Sequence, residues 1–233
     1  MALVLGLHGA AMSGKDTVAD YLVDQKGWTA KLSFAHNLKE MCKAIFYLTD
    51  HDVHDQAGKH ALFAKPKTFT ENNLGSVLFW MSRTHARFPV SKESKLKVKS
   101  LVGTELRNPR DILQFVGTEI CRELIKTYHV DIVKQQVLQN PEGKFVITDV
   151  RFPNEGDFVL DDLQGSVIKI ERPNLSSTNI NRQHASETSM SDWGRFNAVI
   201  DNSEVGLEKL YEKVDTIVKR TFQCLEEAEA DTQ

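Results

Sequence analysis

Apolar positions along the chain alternate between two rhythms. Leu3 to Leu7 is a short apolar run that ends at a glycine-bounded turn, which predicts a buried strand. Val18, Ala19, Tyr21, Leu22 and Gln25 then continue a helix that stops at Lys26-Gly27. Trp28 to Phe34 alternates like a second strand, and Leu38, Met41, Cys42, Ile45 and Phe46 return to helical spacing with one apolar face. Residues 50–108 are the least regular stretch and are expected to form an inserted, mainly helical subdomain, with segments such as Asn73 to Arg83. Pro109 suits a first helical turn, and Ile112, Leu113, Val116, Ile120 and Leu124 mark the buried side of the helix that follows.

The strand rhythm comes back at Phe145-Val146-Ile147-Thr148-Asp149 and again at Ser166 to Glu171, with a helix start at Asn154-Glu155 between them. Residues 172–196 are polar and turn-rich. Ala198-Val199-Ile200 makes a last strand, and Leu207, Leu210, Val214, Ile217 and Val218 line a closing helix before an acidic tail. Strands that alternate with helices imply a parallel sheet covered by helices on both faces. The expected fold class is therefore α/β, a three-layer α/β/α domain spanning residues 1–233.

The first turn carries the sharpest chemistry. Gly9-Ala10-Ala11-Met12-Ser13-Gly14-Lys15 fits the Walker A pattern of the P-loop NTPases, and it sits between a strand and a helix start, where that pattern has meaning. Gly9 and Gly14 let the backbone wrap a phosphate with its own N–H groups, Ser13 lies within the wrap, and the helix N-terminus faces the same anion. Lys15 adds a mobile positive charge for the outer phosphates. The residue after that lysine is usually Ser or Thr; here it is Asp16, followed by Thr17. Either oxygen suits Mg²⁺, and the sequence leaves the choice open. Asp149, at the end of an apolar strand, follows Walker B logic and would serve the metal or the acceptor, with Arg151 two residues on facing the same crevice.

Charge is nearly balanced, with 29 basic and 32 acidic residues, so no general affinity for nucleic acid is expected. Cys42, Cys121 and Cys224 form an odd, scattered set that argues for a reducing compartment, and the first two read as core filler. No stretch is suited to spanning a membrane and no basic leader precedes Leu3, which points to a cytoplasmic protein.

Other stretches admit two readings. Arg110, Gln114, Thr118 and Arg122 recur every four residues, as a solvent face or as a wall for a phosphate and a base edge. Residues 172–196, with Arg172, Arg182, His184, Glu187 and Arg195, are expected to form a lid over transferring phosphates, the alternative being a surface loop. His51-Asp52-Val53-His54-Asp55 has metal-like spacing without a completing cluster, and the lysines of Ser91 to Ser100 suit a surface loop better than a nucleic-acid patch.

Gly9-x4-Gly14-Lys15-Asp16-Thr17, Leu113-Gln114 through Gly117-Thr118-Glu119, Thr148-Asp149-Val150-Arg151-Phe152-Pro153-Asn154-Glu155 and His184-Ala185-Ser186-Glu187 occur in one order. Together they resemble the deoxynucleoside monophosphate kinases of tailed bacteriophages, as does the close Val199-Ile200-Asp201-Asn202 before a helix. The resemblance runs from residue 3 to about 218 and leaves residues 50–108 unmatched. It implies ATP and Mg²⁺ as cofactors and transfer of the γ-phosphoryl group to a deoxynucleoside monophosphate. Carried over, Lys15 and the loop hold ATP phosphates, and Asp16 or Thr17, with Asp149, serves the metal. Arg151 and the helix of Arg110, Gln114 and Thr118 face the acceptor, with Phe34 and Lys39 on the same side, while Arg172 and Arg182 belong to the lid. A phage-encoded chain would work in the host cytoplasm, and a homodimer is compatible with the reading. Another small-molecule P-loop kinase, of phosphomevalonate kinase type, and a non-catalytic nucleotide sensor are the alternatives; Phe34, Phe115 and Phe152 favour a nucleotide acceptor.

Overall fold

The computed structural model describes residues 1–85, 90–173, 188–204 and 206–230. In chain order the elements are β1 (Leu3–His8), α1 (Lys15–Lys26), β2 (Ala30–Leu32), α2 (His36–Phe46), α3 (Asp50–His54), α4 (Gln56–His60), β3 (Lys67–Thr68), α5 (Glu71–Thr84) and α6 (Lys92–Ser100). They continue with β4 (Glu105–Leu106), α7 (Pro109–Gln114), α8 (Tyr128–Leu138), β5 (Lys144–Ile147), α9 (Pro153–Asp157), β6 (Ser166–Glu171), β7 (Ala198–Asp201) and α10 (Leu207–Ala230). Two helices run on into π-helical turns, α7 through Phe115–Arg122 and α9 through Phe158–Asp162.

The chain divides into two compact units, residues 1–33 with 136–233 and residues 34–135. The first holds a five-stranded sheet in the order β2-β5-β1-β6-β7, every pairing of which is parallel. β1 lies at its centre, with Leu3 to Gly6 registered on Lys144 to Ile147 of β5 and Leu5 to His8 on Ser166 to Lys169 of β6. Central parallel strands are covered on both faces, which is why Val4, Leu5 and Leu7 are fully buried in succession instead of alternating. Leu5, Leu7, Val146, Ile168 and Ile170 pack with Val18, Leu22, Leu210 and Val214 into one core, bringing α1 and α10 onto the sheet. Tyr21 and Tyr211 stack at 3.9 Å, and the Tyr21 hydroxyl donates to Asp215 at 2.8 Å, fixing the register of α1 on α10.

Among the described residues the second unit is helical apart from the β3–β4 pair, and its core gathers Met41, Phe46, Val53, Phe69, Val77, Met81, Val98, Ile112, Val116, Ile120 and Tyr128. Residues 50–108 lie wholly inside it, together with α2 and α7. α2 crosses the α7 extension where Leu38 lies against Gly117, a position at which an added Cβ would come within 2.6 Å of the leucine. Phe115 points into this core, edge-on to Phe69 at 5.0 Å. Trp80, Asn37, Tyr128 and Thr84 form a chain of hydrogen bonds at its side, and burial pushes the Tyr128 hydroxyl up to about 12. Among the described residues no helix is long and apolar enough to cross a membrane.

In the sheet unit, α9 is tied to the segment before β7. Trp193 is buried with its indole N–H on Asp157 at 3.0 Å, and Arg195 reaches Asp157 and Asp161 at 2.6–2.8 Å. Gly156 lets the indole approach this closely, since a Cβ there would stand 2.5 Å from the ring. Gly156→Ala is therefore expected to cost about 1–3 kcal/mol by overpacking. In a Trp193→Leu background the same change should add little, as read by denaturant unfolding of the four proteins of the cycle.

Candidate active site

Parallel strands send the loops that follow them to the same edge of the sheet. The segments after β1, β2, β5 and β7 thus emerge together, and they carry Gly9–Lys15, Ser33, Asp149–Arg151 and Asn202. The turn after β1 has the two strained glycines that its sequence predicts: Gly9 at φ 155° and Gly14 at φ 107°. A Cβ at Gly9 would lie 2.4 Å from the Ile170 carbonyl oxygen, and one at Gly14 would lie 2.7 Å from the Asn202 amide, so neither tolerates a side chain. Gly14 caps the N-terminus of α1 with no side-chain cap of its own, and a helix N-terminus favours an anion.

Lys15 is folded over this turn. Its ammonium donates to the carbonyls of Gly9 at 2.8 Å and Ala10 at 2.6 Å and approaches the Ser13 hydroxyl at 3.5 Å. Ser13 is buried, and its carbonyl accepts from the Asn202 side chain at 2.9 Å, while the Asn202 main-chain N–H donates to Glu171 at 2.7 Å. The loop is thereby held from behind by the residue that follows β7. Asp16 is exposed and Thr17 half-buried in the first turn of α1.

Asp149 follows β5 by two residues, next to the end of β1, and its carboxylate accepts from the Ser33 hydroxyl at 2.7 Å. The half-buried Asp149 carboxylate, and the oxygens of Asp16 and Thr17 at the start of α1, are hard donors of the kind that suits Mg²⁺. The turn beyond it is tightly tethered. Val150 N–H donates to Leu7, and buried Glu155 accepts from the N–H groups of Arg151 at 2.7 Å and Phe152 at 3.0 Å. His8 donates from Nδ1 to the Val150 carbonyl at 2.8 Å and stacks on Phe196 at 5.3 Å. Burial, together with the charges of Lys15, Lys169 and Arg151, holds the His8 imidazole below its usual range despite that bond.

The sheet unit thus gathers Gly9, Ser13, Gly14, Lys15, Asp16, Thr17, Asp149 and Arg151, with Arg172 exposed just beyond β6. The helical unit carries Phe34, Lys39, Arg110, Gln114 and Thr118. Phe34 is buried and the other four are half-buried, and the Leu38–Gly117 crossing brings the helix of Lys39 against that of Gln114 and Thr118. Arg182, His184 and Glu187, and most of the expected lid, lie outside the described residues.

The run from His51 to Asp55 is explained by helix capping. Asp52 completes a capping box with Thr49 at the start of α3, and Asp55 accepts from Ala57 and Gly58 at the start of α4. Glu40, Asp50 and His54 do bring ligand atoms within 4.8 Å of one another, but the Lys43 ammonium already sits on Glu40 at 2.9 Å and Asp50 at 2.7 Å. Sequence reading missed Ser33 and His8. Both stand next to strand ends, and their partners lie 116 and 142 residues away.

No family model matches the chain. Its likeness to individual proteins is extensive. A protein of Acanthamoeba polyphaga mimivirus, named a deoxynucleotide monophosphate kinase, is 28% identical over 233 residues, covering 95% of this chain and 98% of that protein. A solved structure of dephospho-CoA kinase from Campylobacter jejuni aligns over 95% of this chain and 98% of its own, with a TM-score of 0.45 and 15% identity. The deoxynucleoside-5′-monophosphate kinase of Escherichia phage T5 is 30% identical over 182 residues, which are 68% of this chain and 72% of that enzyme. The chain belongs to the deoxynucleoside monophosphate kinase family.

Proposed function

We propose that the protein transfers the γ-phosphoryl group of ATP to a deoxynucleoside 5′-monophosphate, yielding the diphosphate and ADP. The observation that carries this reading is the Gly9–Lys15 turn at the start of α1, on the strand next to β5, which Asp149 follows by two residues. Both relatives are named for phosphorylating deoxynucleotides, which supports the choice of acceptor.

Phosphoryl transfer asks the protein mainly for positioning and positive charge, not for a nucleophile of its own. Lys15 would exchange the carbonyls of Gly9 and Ala10 for phosphate oxygens, a move that its flexible stem permits without rearranging the loop. The N-terminus of α1 would take a share of the same charge. Mg²⁺, when bound, neutralises charge across the transferred phosphates; Asp149 and one of Asp16 or Thr17 would hold it, with Ser33 orienting the Asp149 carboxylate. Arg151 would face the acceptor phosphate or the charge that develops in transfer. Phe34, Lys39, Arg110, Gln114 and Thr118 would bind the acceptor nucleotide, while Arg172 and Arg182 would close on the phosphates from residues 172–196.

A coupled assay with ATP and Mg²⁺ against each dNMP and NMP tests the reading. Turnover of one or more dNMPs is expected, and ATP binding without turnover of any nucleotide would refute it. Lys15→Ala should fold normally and lose on the order of 10²–10³ in kcat or more, because it removes charge stabilisation and leaves packing alone. Ser33→Ala should raise the Mg²⁺ concentration needed for half-maximal rate by about 10–100-fold, since it removes the hydroxyl that orients the Asp149 carboxylate. A Mg²⁺ titration of the rate at saturating ATP reads this directly.

A further inference from the structure

Asp149 and Arg151 are separated by one residue, and the peptide group that joins Val150 to Arg151 is held in an unusual way. Its carbonyl accepts from the His8 ring at 2.8 Å and its N–H donates to the Glu155 carboxylate at 2.7 Å. Both polar ends of a single planar unit are thus taken by side chains, one from the end of β1 and one from α9, not by a sheet ladder. With Val150 N–H on Leu7, this fixes the rotations on either side of that peptide, and so the direction in which the Arg151 side chain leaves the backbone. A carbonyl oxygen only accepts, so Nδ1 of His8 carries a proton. The ring plane is set by stacking on Phe196, which itself packs edge-on against Trp193 at 4.8 Å.

We propose that His8 is a positioning residue for phosphoryl transfer, acting through its Nδ1–H bond to the Val150 carbonyl to aim Arg151. Nothing in the bond requires imidazole chemistry; it requires an N–H donor at the Nδ1 position. Asn supplies one at nearly the same place and Leu does not. The proposal rests on the reading of Arg151 as a group that meets the acceptor or the transferring phosphoryl.

The test compares wild type, His8→Asn, His8→Leu, Arg151→Ala and the His8→Leu/Arg151→Ala double variant, all as full-length chains. In ¹⁵N-histidine-labelled wild type, His8 is expected to show a protonated Nδ1 and an unprotonated Nε2. His8→Leu should speed amide exchange across residues 149–152 by about tenfold or more and lower kcat by about 10–100-fold, leaving the ATP Kd within about twofold. His8→Asn should restore protection, and kcat to within about threefold of wild type. Adding His8→Leu to Arg151→Ala should cost little more. The proposal fails if His8→Asn is as impaired as His8→Leu, if the ring is protonated on Nε2 alone, or if the loss persists undiminished without Arg151. Should wild type turn over no dNMP, the acceptor reading falls, and exchange and tautomer alone decide whether His8 holds this peptide.

Discussion

Everything at the candidate site depends on the parallel pairing of β1 with β5. Four residue pairs, from Leu3 with Lys144 to Gly6 with Ile147, set two strand ends side by side although 140 residues separate them in sequence. One strand then releases the glycine turn and the other releases Asp149. A one-residue slip would turn the side chains of one strand to the opposite face and carry Asp149 away from the turn, so register here is a chemical constraint as well as a packing one. The buried run Val4, Leu5 and Leu7 enforces it, because both faces of the strand are committed to the core.

Around that pairing the molecule spends polar groups on holding backbone. Asn202 holds the turn at Ser13, Ser33 holds Asp149, and His8 and Glu155 hold the peptide before Arg151. Burying such groups is costly unless each finds a partner, and here each does. Lys15 satisfies the loop carbonyls in the meantime, as a replaceable cation at the place where anions are expected. In the proposed reaction the lysine would turn from these carbonyls to phosphate oxygen while the loop keeps its own tethers.

The turn after β1 was legible in the sequence because its chemistry is local. Glycines, lysine and helix start fall within nine residues, and their spacing carries the geometry. Asp149 was legible because an acid at the end of an apolar run is a local pattern too. His8, Ser33 and Asn202 carry no such signal, since what they hold lies 116 to 189 residues away and depends on strand order. The helical unit shows a second limit. The apolar face of α2 has the same 3.6-residue period whether it covers a sheet or joins a helical core, so periodicity alone cannot tell that residues 34–49 group with α5 and α7. Phe115 illustrates the same ambiguity, reading as a base-stacking ring in sequence and packing against Phe69 in the core.

The most direct measurement is a crystal structure with a bisubstrate analogue in which adenosine and a deoxynucleoside are joined through a phosphate chain. The account predicts phosphates wrapped by residues 9–15, with the Lys15 ammonium moved from the Gly9 and Ala10 carbonyls onto phosphate oxygen and the Asn202–Ser13 bond intact. An analogue bound away from this turn, or bound with Lys15 still on its own loop, would contradict it.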